Sequence, residues 1–131
     1  MAEGMDPSFA AQGTYTPDNL LAGGEPSAQA EEITLVSGES VVRGEVLGII
    51  TASGKAAASL SASTDGSETP RLIAAEDMDA STGDKTMHAY TRGRFNQDEL
   101  TIGAGLTAAG IKQGLWDYQI YLVDPVTATP V

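Results

Sequence analysis

The chain of 131 residues is long enough for one domain and too short for two. Its 18 acidic and 7 basic residues give a formal net charge of −11, which repels phosphate backbones and disfavours nucleic-acid binding. The absence of cysteine excludes disulfides, thiolate metal sites and a cysteine nucleophile, and a small domain without these often gains stability by oligomerisation.

The first 30 residues differ from the rest, because they contain no lysine or arginine and little apolar surface. Such a segment cannot offset its ordering entropy, so we expect a flexible arm over residues 1–30 and a β-rich domain over residues 31–131. The alternatives for the arm are a solvated tail and a segment that orders on a partner, for example by adding a strand to a sheet edge. Its candidate anchors are Phe9, Tyr15, Pro17, Leu20 and Leu21.

The first half of the domain predicts short strands separated by turns. A strand that includes Ile33 runs into Gly38. Residues 38–51 predict a short strand, a tight corner at Gly44 and a buried strand, because branched side chains favour extended backbone and glycine permits turns. The next elements are a strand or loop over residues 55–63, a turn at Asp65-Gly66 and a strand over residues 71–75.

The second half predicts two more strands and a helix. Residues 86–91 form a strand that ends in a second glycine corner at residues 92–95, after which Asn96 caps a short helical turn. A helix over residues 106–118 precedes a closing strand over residues 119–123. The helix residues expected on one face are Leu106, Ala109, Ile111 and Leu115. The predicted fold is α+β and mainly β: a compact domain of short strands with one or two short helices and an extended N-terminal arm.

Two motifs suggest enzymatic chemistry but are incomplete. Residues 103–108 match G-x-G-x-x-A, yet the acidic residue at suitable spacing, Asp124, is followed by too few residues to complete a dinucleotide-binding sheet. A helix start beside a tight turn explains the match better. His88 is the only histidine and no nucleophile elbow accompanies it, which favours a strand histidine with a satisfied hydrogen bond.

The charged and aromatic groups are better explained by structure than by ligands. Glu76, Asp77 and Asp79 could bind a hard cation, but the EF-hand spacing is missing and a solvated acidic turn is favoured. Arg92 and Arg94 predict inter-subunit pairs or surface salt bridges. The small aromatic group expected to pack in the core or between subunits is Trp116, Tyr118 and Tyr121. We expect no catalytic, metal or cofactor site.

The N-terminus lacks the basic and apolar regions of a secretory signal peptide. No window of the sequence approaches the roughly 20 apolar residues of a membrane-spanning helix. We therefore expect a soluble protein with no membrane partner that is made in a cytoplasm.

Several motifs in a fixed order carry a family resemblance. They are Gly38, the run Arg43-Gly44-Glu45-Val46-Leu47-Gly48, the pair Asp65-Gly66, residues 72–80 and Arg92-Gly93-Arg94-Phe95. This pattern resembles the head decoration protein D family of tailed bacteriophages over roughly residues 31–123. The chain departs from the family in its longer acidic arm and in the helix and closing strand of residues 106–123.

The resemblance implies a β-clip-like or β-tulip-like fold and a homotrimer on the outer surface of the expanded phage head, at three-fold positions. Its partners are then the major capsid protein, contacted by the arm, and further copies of the chain, with no catalysis and no cofactor. The residues implied to be critical for the trimer or the fold are Arg43, Gly44, Asp77, Arg92, Gly93 and Phe95.

Two other functions stay open at this point. One is an outward-facing module on the virion that recognises the host surface. The other is a metal-dependent nucleotide hydrolase, because β-clip barrels also house such enzymes. It would need Asp65 or Asp77 beside a metal at a trimer interface.

Overall fold

In the computed structural model of the protein, residues 20–124 are described. The strands in this range are β1 (Gln29–Leu35), β2 (Ser40–Val41), β3 (Val46–Ile49), β4 (Ala56–Ala58), β5 (Pro70–Ala74), β6 (Met78–Asp79), β7 (Lys85–Asn96) and β8 (Ile120–Val123). The helical elements are a 3₁₀ turn (Gln97–Glu99) and the helix α1 (Ala108–Trp116). The predicted class, α+β and mainly β, is confirmed.

The larger sheet closes on itself into a small barrel. Its strand order is β1-β4-β3-β5-β7-β8, and β1 also pairs with β7. The β1–β7 pairing is long and antiparallel, whereas β1 meets β4 only where Leu35 lies opposite Ala56. Strands β2 and β6 form a separate two-stranded sheet. Closure leaves few unpaired strand edges, which would otherwise template aggregation.

The long strand β7 differs from the prediction. The expected corner at residues 92–95 is wrong, because the strand continues through it from Lys85 to Asn96. The first part of β7 pairs with β1 and β5, and its last four residues pair in parallel with β8. The single strand β7 therefore connects the strands β1 and β5 with the C-terminal strand β8.

Two groups of buried side chains fill the fold. The barrel core consists of Leu35, Val41, Leu47, Ala56, Leu72, Ala74, Ala80, Met87 and Ala89. The helix-side core consists of Leu20, Val46, Ile73, Phe95, Ile111, Leu115, Ile120 and Leu122. Successive residues of a strand point to opposite faces of the sheet, so β3 and β5 each supply both cores. The paired Leu47 and Leu72 face the barrel core, whereas the paired Val46 and Ile73 face the helix.

Helix α1 is shorter at both ends than predicted. Its N-cap is Thr107, whose hydroxyl accepts a hydrogen bond from a backbone N–H of the first turn at 3.0 Å. Ile111 and Leu115, which were expected to share a face, are both buried in the helix-side core. Ala109 is exposed instead of sharing their face, and Ala108 packs against the helix-side core in its place.

The loop before α1 explains the G-x-G-x-x-A match. A Cβ atom on Gly103 would overlap the carbonyl oxygen of Ser59, and one on Gly105 would overlap the hydroxyl of Ser61. Gly105 also has a φ of 84°, which glycine adopts without strain. These glycines let the loop pack closely on the residues after β4, and the predicted tight turn beside a helix start is confirmed.

Other predicted elements agree with the structure within a few residues. The stretch 38–51 contains β2, a turn and β3, while residues 71–75 and 119–123 contain most of β5 and all of β8. Strand β1 begins at Gln29, inside the segment expected to be an arm. Asn96 precedes the 3₁₀ turn but makes no side-chain capping hydrogen bond to it. Between residues 20 and 124, no helix is long and apolar enough to cross a membrane.

Candidate functional site

The segment that joins the expected arm to the barrel, residues 20–28, is called the arm base. Its first residues run antiparallel to the end of β7, where the Ala22 N–H donates to the Arg94 carbonyl and the Asn96 N–H to the Leu20 carbonyl, each at 2.9 Å. Leu20 is 1% exposed and belongs to the helix-side core. The expectation of Leu20 as an arm anchor is therefore corrected: pairing with β7 makes it a core residue, and folded structure already includes residue 20.

The rest of the arm base passes over Arg94 and encloses a small cavity. The Arg94 Nε donates a hydrogen bond to the Gly23 carbonyl at 3.0 Å. The cavity has a volume of about 210 Å³ and is lined by Leu21, Gly23, Gly24, Pro26, Ser27, Ala28 and Arg94. Leu21 is 41% exposed. Leu21, unlike the buried Leu20, is thus available to a partner. Phe9, Tyr15 and Pro17 lie outside the described residues.

Gly93 and Arg92 lie where the arm base enters β1. Gly93 has a φ of 142°, and a Cβ atom there would lie 2.9 Å from the Cα of Ala28. This glycine serves a close approach of two backbones and not a corner. Arg92 lies opposite Gln29 at a register shift, and its Nε is buried without a hydrogen-bond partner within residues 20–124. Pairing of Arg92 between subunits stays a prediction.

Arg43, Asp77 and Tyr90 meet at the corner between β2 and β3. The Arg43 backbone N–H donates to Asp77 Oδ1 at 2.8 Å. The Arg43 Nη1 donates to the Ala75 carbonyl at 2.9 Å and to the Tyr90 hydroxyl at 3.0 Å. The guanidinium lies 5.7 Å from the centre of the Tyr90 ring, within cation–π range. The polar groups of this corner therefore hold the backbone in place.

Gly44 connects this corner to the helix-side core. Its φ is 91°, and its N–H donates to the Ala74 carbonyl at 2.8 Å. A Cβ atom on Gly44 would lie 3.0 Å from the carbonyl oxygen of Glu99 and 3.5 Å from the side chain of Leu20. The predicted tight corner at Gly44 is confirmed, and its glycine is needed for both conformation and space.

Phe95 completes the connection between the corner and the arm base. It is fully buried, and its ring lies 5.3 Å from that of Tyr90 in a tilted arrangement. Arg43 and Asp77 are thus linked to Phe95 through Tyr90. Sequence reasoning missed Tyr90, which lies two residues before the Arg92-Gly93 pair and whose one signal was its place in a predicted strand. A role for these residues in a trimer stays a prediction.

Some acidic side chains accept hydrogen bonds from backbone N–H groups and from basic side chains. Glu76 accepts a hydrogen bond from the His88 backbone N–H at 2.8 Å and lies 3.2 Å from its ring Nδ1, and these contacts lower the pKa of Glu76. Asp84 accepts from the Lys55 Nζ at 2.6 Å and the Ser37 N–H at 2.8 Å, which lowers the pKa of Asp84. The predicted hydrogen bond of the strand histidine is confirmed. In the described part of the chain, no three His, Cys, Asp or Glu side chains are placed to hold a metal ion.

A cleft between β5 and the end of α1 had no signal in the sequence. Exposed Arg71 places its guanidinium 4.7 Å from the centre of the Tyr118 ring. The cleft has a volume of about 380 Å³ and is lined by Ile49, Thr51, Gly66, Thr69, Arg71 and Tyr118. The expected cluster of Trp116, Tyr118 and Tyr121 is wrong within the chain: Tyr118 contacts Arg71, Trp116 is 46% exposed, and the aromatic ring pair among the described residues is Tyr90 with Phe95. Packing of these side chains between subunits stays a prediction.

The fold and these contacts define a small, mainly β structural module whose polar side chains are used to hold its backbone. The model of the bacteriophage lambda head decoration protein D family matches residues 10–116, and the chain belongs to this family. No curated protein matches the chain.

The family match corrects the expected extent of the resemblance. It begins at residue 10, within the segment in which the chain was expected to depart from the family, and it ends at Trp116, before β8. It therefore includes the arm base and nearly all of the arm anchors, with Phe9 just outside. Members of this family decorate phage heads, so the chain is a structural protein of the virion that associates with the capsid.

Proposed function

We propose that the protein is a homotrimeric cement protein that binds three-fold sites on the outer surface of the expanded head and stabilises the shell against internal DNA pressure. The observation that carries this proposal is the match of residues 10–116 to the head decoration family. The main partner is the major capsid protein, and the contacts of the arm come from Phe9, Tyr15, Pro17 and Leu21.

Linked arms give the proposed trimer its affinity. Once one arm has bound, the other two meet their sites at an effective concentration set by the tether, so weak contacts combine into firm attachment. The arm base supports this arrangement, because the pairing of residues 20–22 with β7 fixes where each arm leaves the body. The net charge of −11 disfavours binding to the DNA inside the head and leaves the capsid protein as the partner.

Removal of the arm without the arm base tests the proposal. A variant lacking residues 1–17 keeps Leu20 and its contacts with β7, so it should fold and form the same oligomer as the full chain. Mixed with expanded, undecorated heads of the cognate phage, it should leave the three-fold positions empty in electron micrographs. The full chain should fill those positions under the same conditions.

A second deletion separates attachment from folding. A variant lacking residues 1–25 also loses Leu20, and it should be less stable than the shorter deletion in urea unfolding. Sedimentation of the full chain should give the mass of three copies. Head binding at full-chain affinity by the variant lacking residues 1–17 would overturn the role of the arm, and a monomeric full chain would overturn the trimer.

A further inference from the structure

Arg71 is a cation without a carboxylate partner in an acidic protein. Within residues 20–124 its contact is the ring of Tyr118, and no carboxylate lies within ion-pair distance of it. By contrast, Lys55 is bonded to Asp84 at 2.6 Å. Arg92 and Arg94 likewise have no ion pair to a carboxylate within residues 20–124, so Arg71 is distinguished by its exposed position in a cleft, against the ring of Tyr118.

The cleft around Arg71 is held rigidly on each side. The loop beside it is fixed by Asp65, whose Oδ1 accepts from the Ser67 N–H at 3.0 Å and hydroxyl at 2.6 Å, and by the Thr51 N–H bonded to the Asp65 carbonyl at 2.9 Å. On the other side, the Tyr118 N–H donates to the Leu115 carbonyl at 2.9 Å. The ring of Tyr118 lies against the guanidinium and restricts the Arg71 side chain before any partner binds.

The groups that line the cleft suit a carboxylate. Arginine presents N–H donors in a planar fork that matches the two oxygens of a carboxylate. The hydroxyls of Thr51 and Thr69 add two further donors at the same cleft. Ile49 is the partly buried apolar residue of the lining and could contact the carbons of an Asp or Glu side chain.

We propose that the Arg71 cleft of one copy binds a carboxylate side chain of the neighbouring copy in the homotrimer, an inference that rests on the proposed function. A three-fold ring uses unlike surfaces on each side of an interface, so the cleft of one copy faces a different surface of the next. Candidate carboxylates are available on several parts of the chain, since these exposed acidic side chains make no hydrogen bond or ion pair within the described residues: Glu31, Glu32, Asp98, Glu99 and Asp117.

Charge reversal at Arg71 tests the pair in solution. R71E should raise the protein concentration at which half the trimer dissociates by about tenfold or more, as measured by sedimentation velocity on a dilution series. The matched control is K112E on α1, which makes the same charge change at a lysine that forms no ion pair within residues 20–124 and should shift that concentration less than about threefold. Circular dichroism should show that both variants are folded.

Cross-linking identifies the source of the carboxylate. R71K places a primary amine in the cleft, and a carbodiimide joins such an amine to a neighbouring carboxylate without a spacer. Trimers assembled from a mixture of ¹⁴N- and ¹⁵N-labelled R71K chains should yield a position-71 peptide joined to an acidic peptide of the other label. Links from Lys55, which is paired with Asp84 within one chain, serve as the internal control.

The outcomes separate this inference from the proposed function. If R71E trimers match K112E trimers, or if no mixed-label link forms at position 71, the carboxylate pair is excluded while the trimer stands. If R71E stays trimeric but loses head binding, the cleft faces the capsid protein and the inference is again overturned. A full chain that is monomeric overturns both.

Discussion

The barrel core and the helix-side core differ in what they depend on. The barrel core is built from β-strands and the residues next to them, and much of it is small: Ala56, Ala74, Ala80 and Ala89. The helix-side core holds larger side chains, including Phe95 of β7, and draws on α1, β8 and the arm base as well as on β3 and β5. The first core thus closes the body, and the second attaches the arm base to it.

The chemistry at the surface follows the same division. Over the barrel, acidic side chains accept hydrogen bonds from backbone N–H groups and from Lys55, as Glu76 and Asp84 do. Beside the helix-side core, burial raises the pKa of Glu45, whose carboxylate still accepts from the Val42 N–H at 3.1 Å. The helix-side region therefore carries both the larger apolar groups and the less favourably placed carboxylate.

The largest effect is expected from breaking the helix-side core at its centre. F95A removes a fully buried ring together with its contact to Tyr90 and should lower the free energy of unfolding by about 3–5 kcal/mol. Urea unfolding at fixed protein concentration measures this loss. F95L keeps much of the volume and should lose clearly less. A loss below about 1 kcal/mol for F95A would contradict the dependence of the helix-side core on this large side chain.

A single methyl group at Gly48 should strongly destabilise the barrel. A Cβ atom there would overlap the carbonyl oxygen of Ser67, a backbone atom that cannot turn aside. G48A should therefore destabilise the protein by about 3 kcal/mol in the same assay. G83A is the matched control, because nothing lies within 4 Å of a Cβ at Gly83, and it should unfold like the parent. Equal behaviour of the two variants would contradict the close packing of the loop on β3.

Truncation of Leu20 isolates the link between the arm base and the body. L20A should cost about 2 kcal/mol, the low end for a buried leucine, because the segment before it is not needed to complete the barrel. Hydrogen exchange should show faster exchange of the Asn96 amide, which bonds to the Leu20 carbonyl, with the Ala74 amide unchanged. L21A alters an exposed neighbour and should leave both amides protected. An Asn96 amide that stays protected in L20A would argue against the attachment of the arm base to β7 through Leu20.

The smallest effect is expected from pH. The pKa of Glu76 is lowered from its ordinary value of 4.5 by hydrogen bonds from His88, first from the backbone N–H. A lowered pKa means that the folded state favours the ionised form, so this stability is present above pH 4.5 and is lost as the pH falls through the folded-state pKa. E76Q should flatten the acid limb of a plot of melting temperature against pH. An unchanged limb in E76Q would show that Glu76 does not contribute.

Much of the fold could be predicted because its signals are local. Branched residues at 46–50 and 120–123 favour strands, and Gly44 lies at a corner that its positive φ requires. Gly93 carries the same local signal as Gly44, yet it lies inside a strand. The difference is the close approach of Ala28, which is 65 residues away in sequence and invisible to local patterns.

The arm base and the Arg71 cleft show the same limit for the candidate site. Leu20 stands among polar residues, so composition alone groups it with the arm, and its burial depends on pairing with β7. Arg71 and Tyr118 become neighbours only because β5 and the end of α1 pack together. The arm anchors Phe9, Tyr15 and Pro17 stay predictions.

The antiparallel pairing of residues 20–22 with β7 has a mechanical consequence. A pull on the chain ahead of Leu20, if directed along β7, would load both flanking hydrogen bonds at once as shear, whereas a pull across β7 would break them one after the other. Leu20 must also leave its buried site before the segment can slide. Because β7 continues into pairings with β1 and β5, such a load would pass from the arm base into the barrel strands.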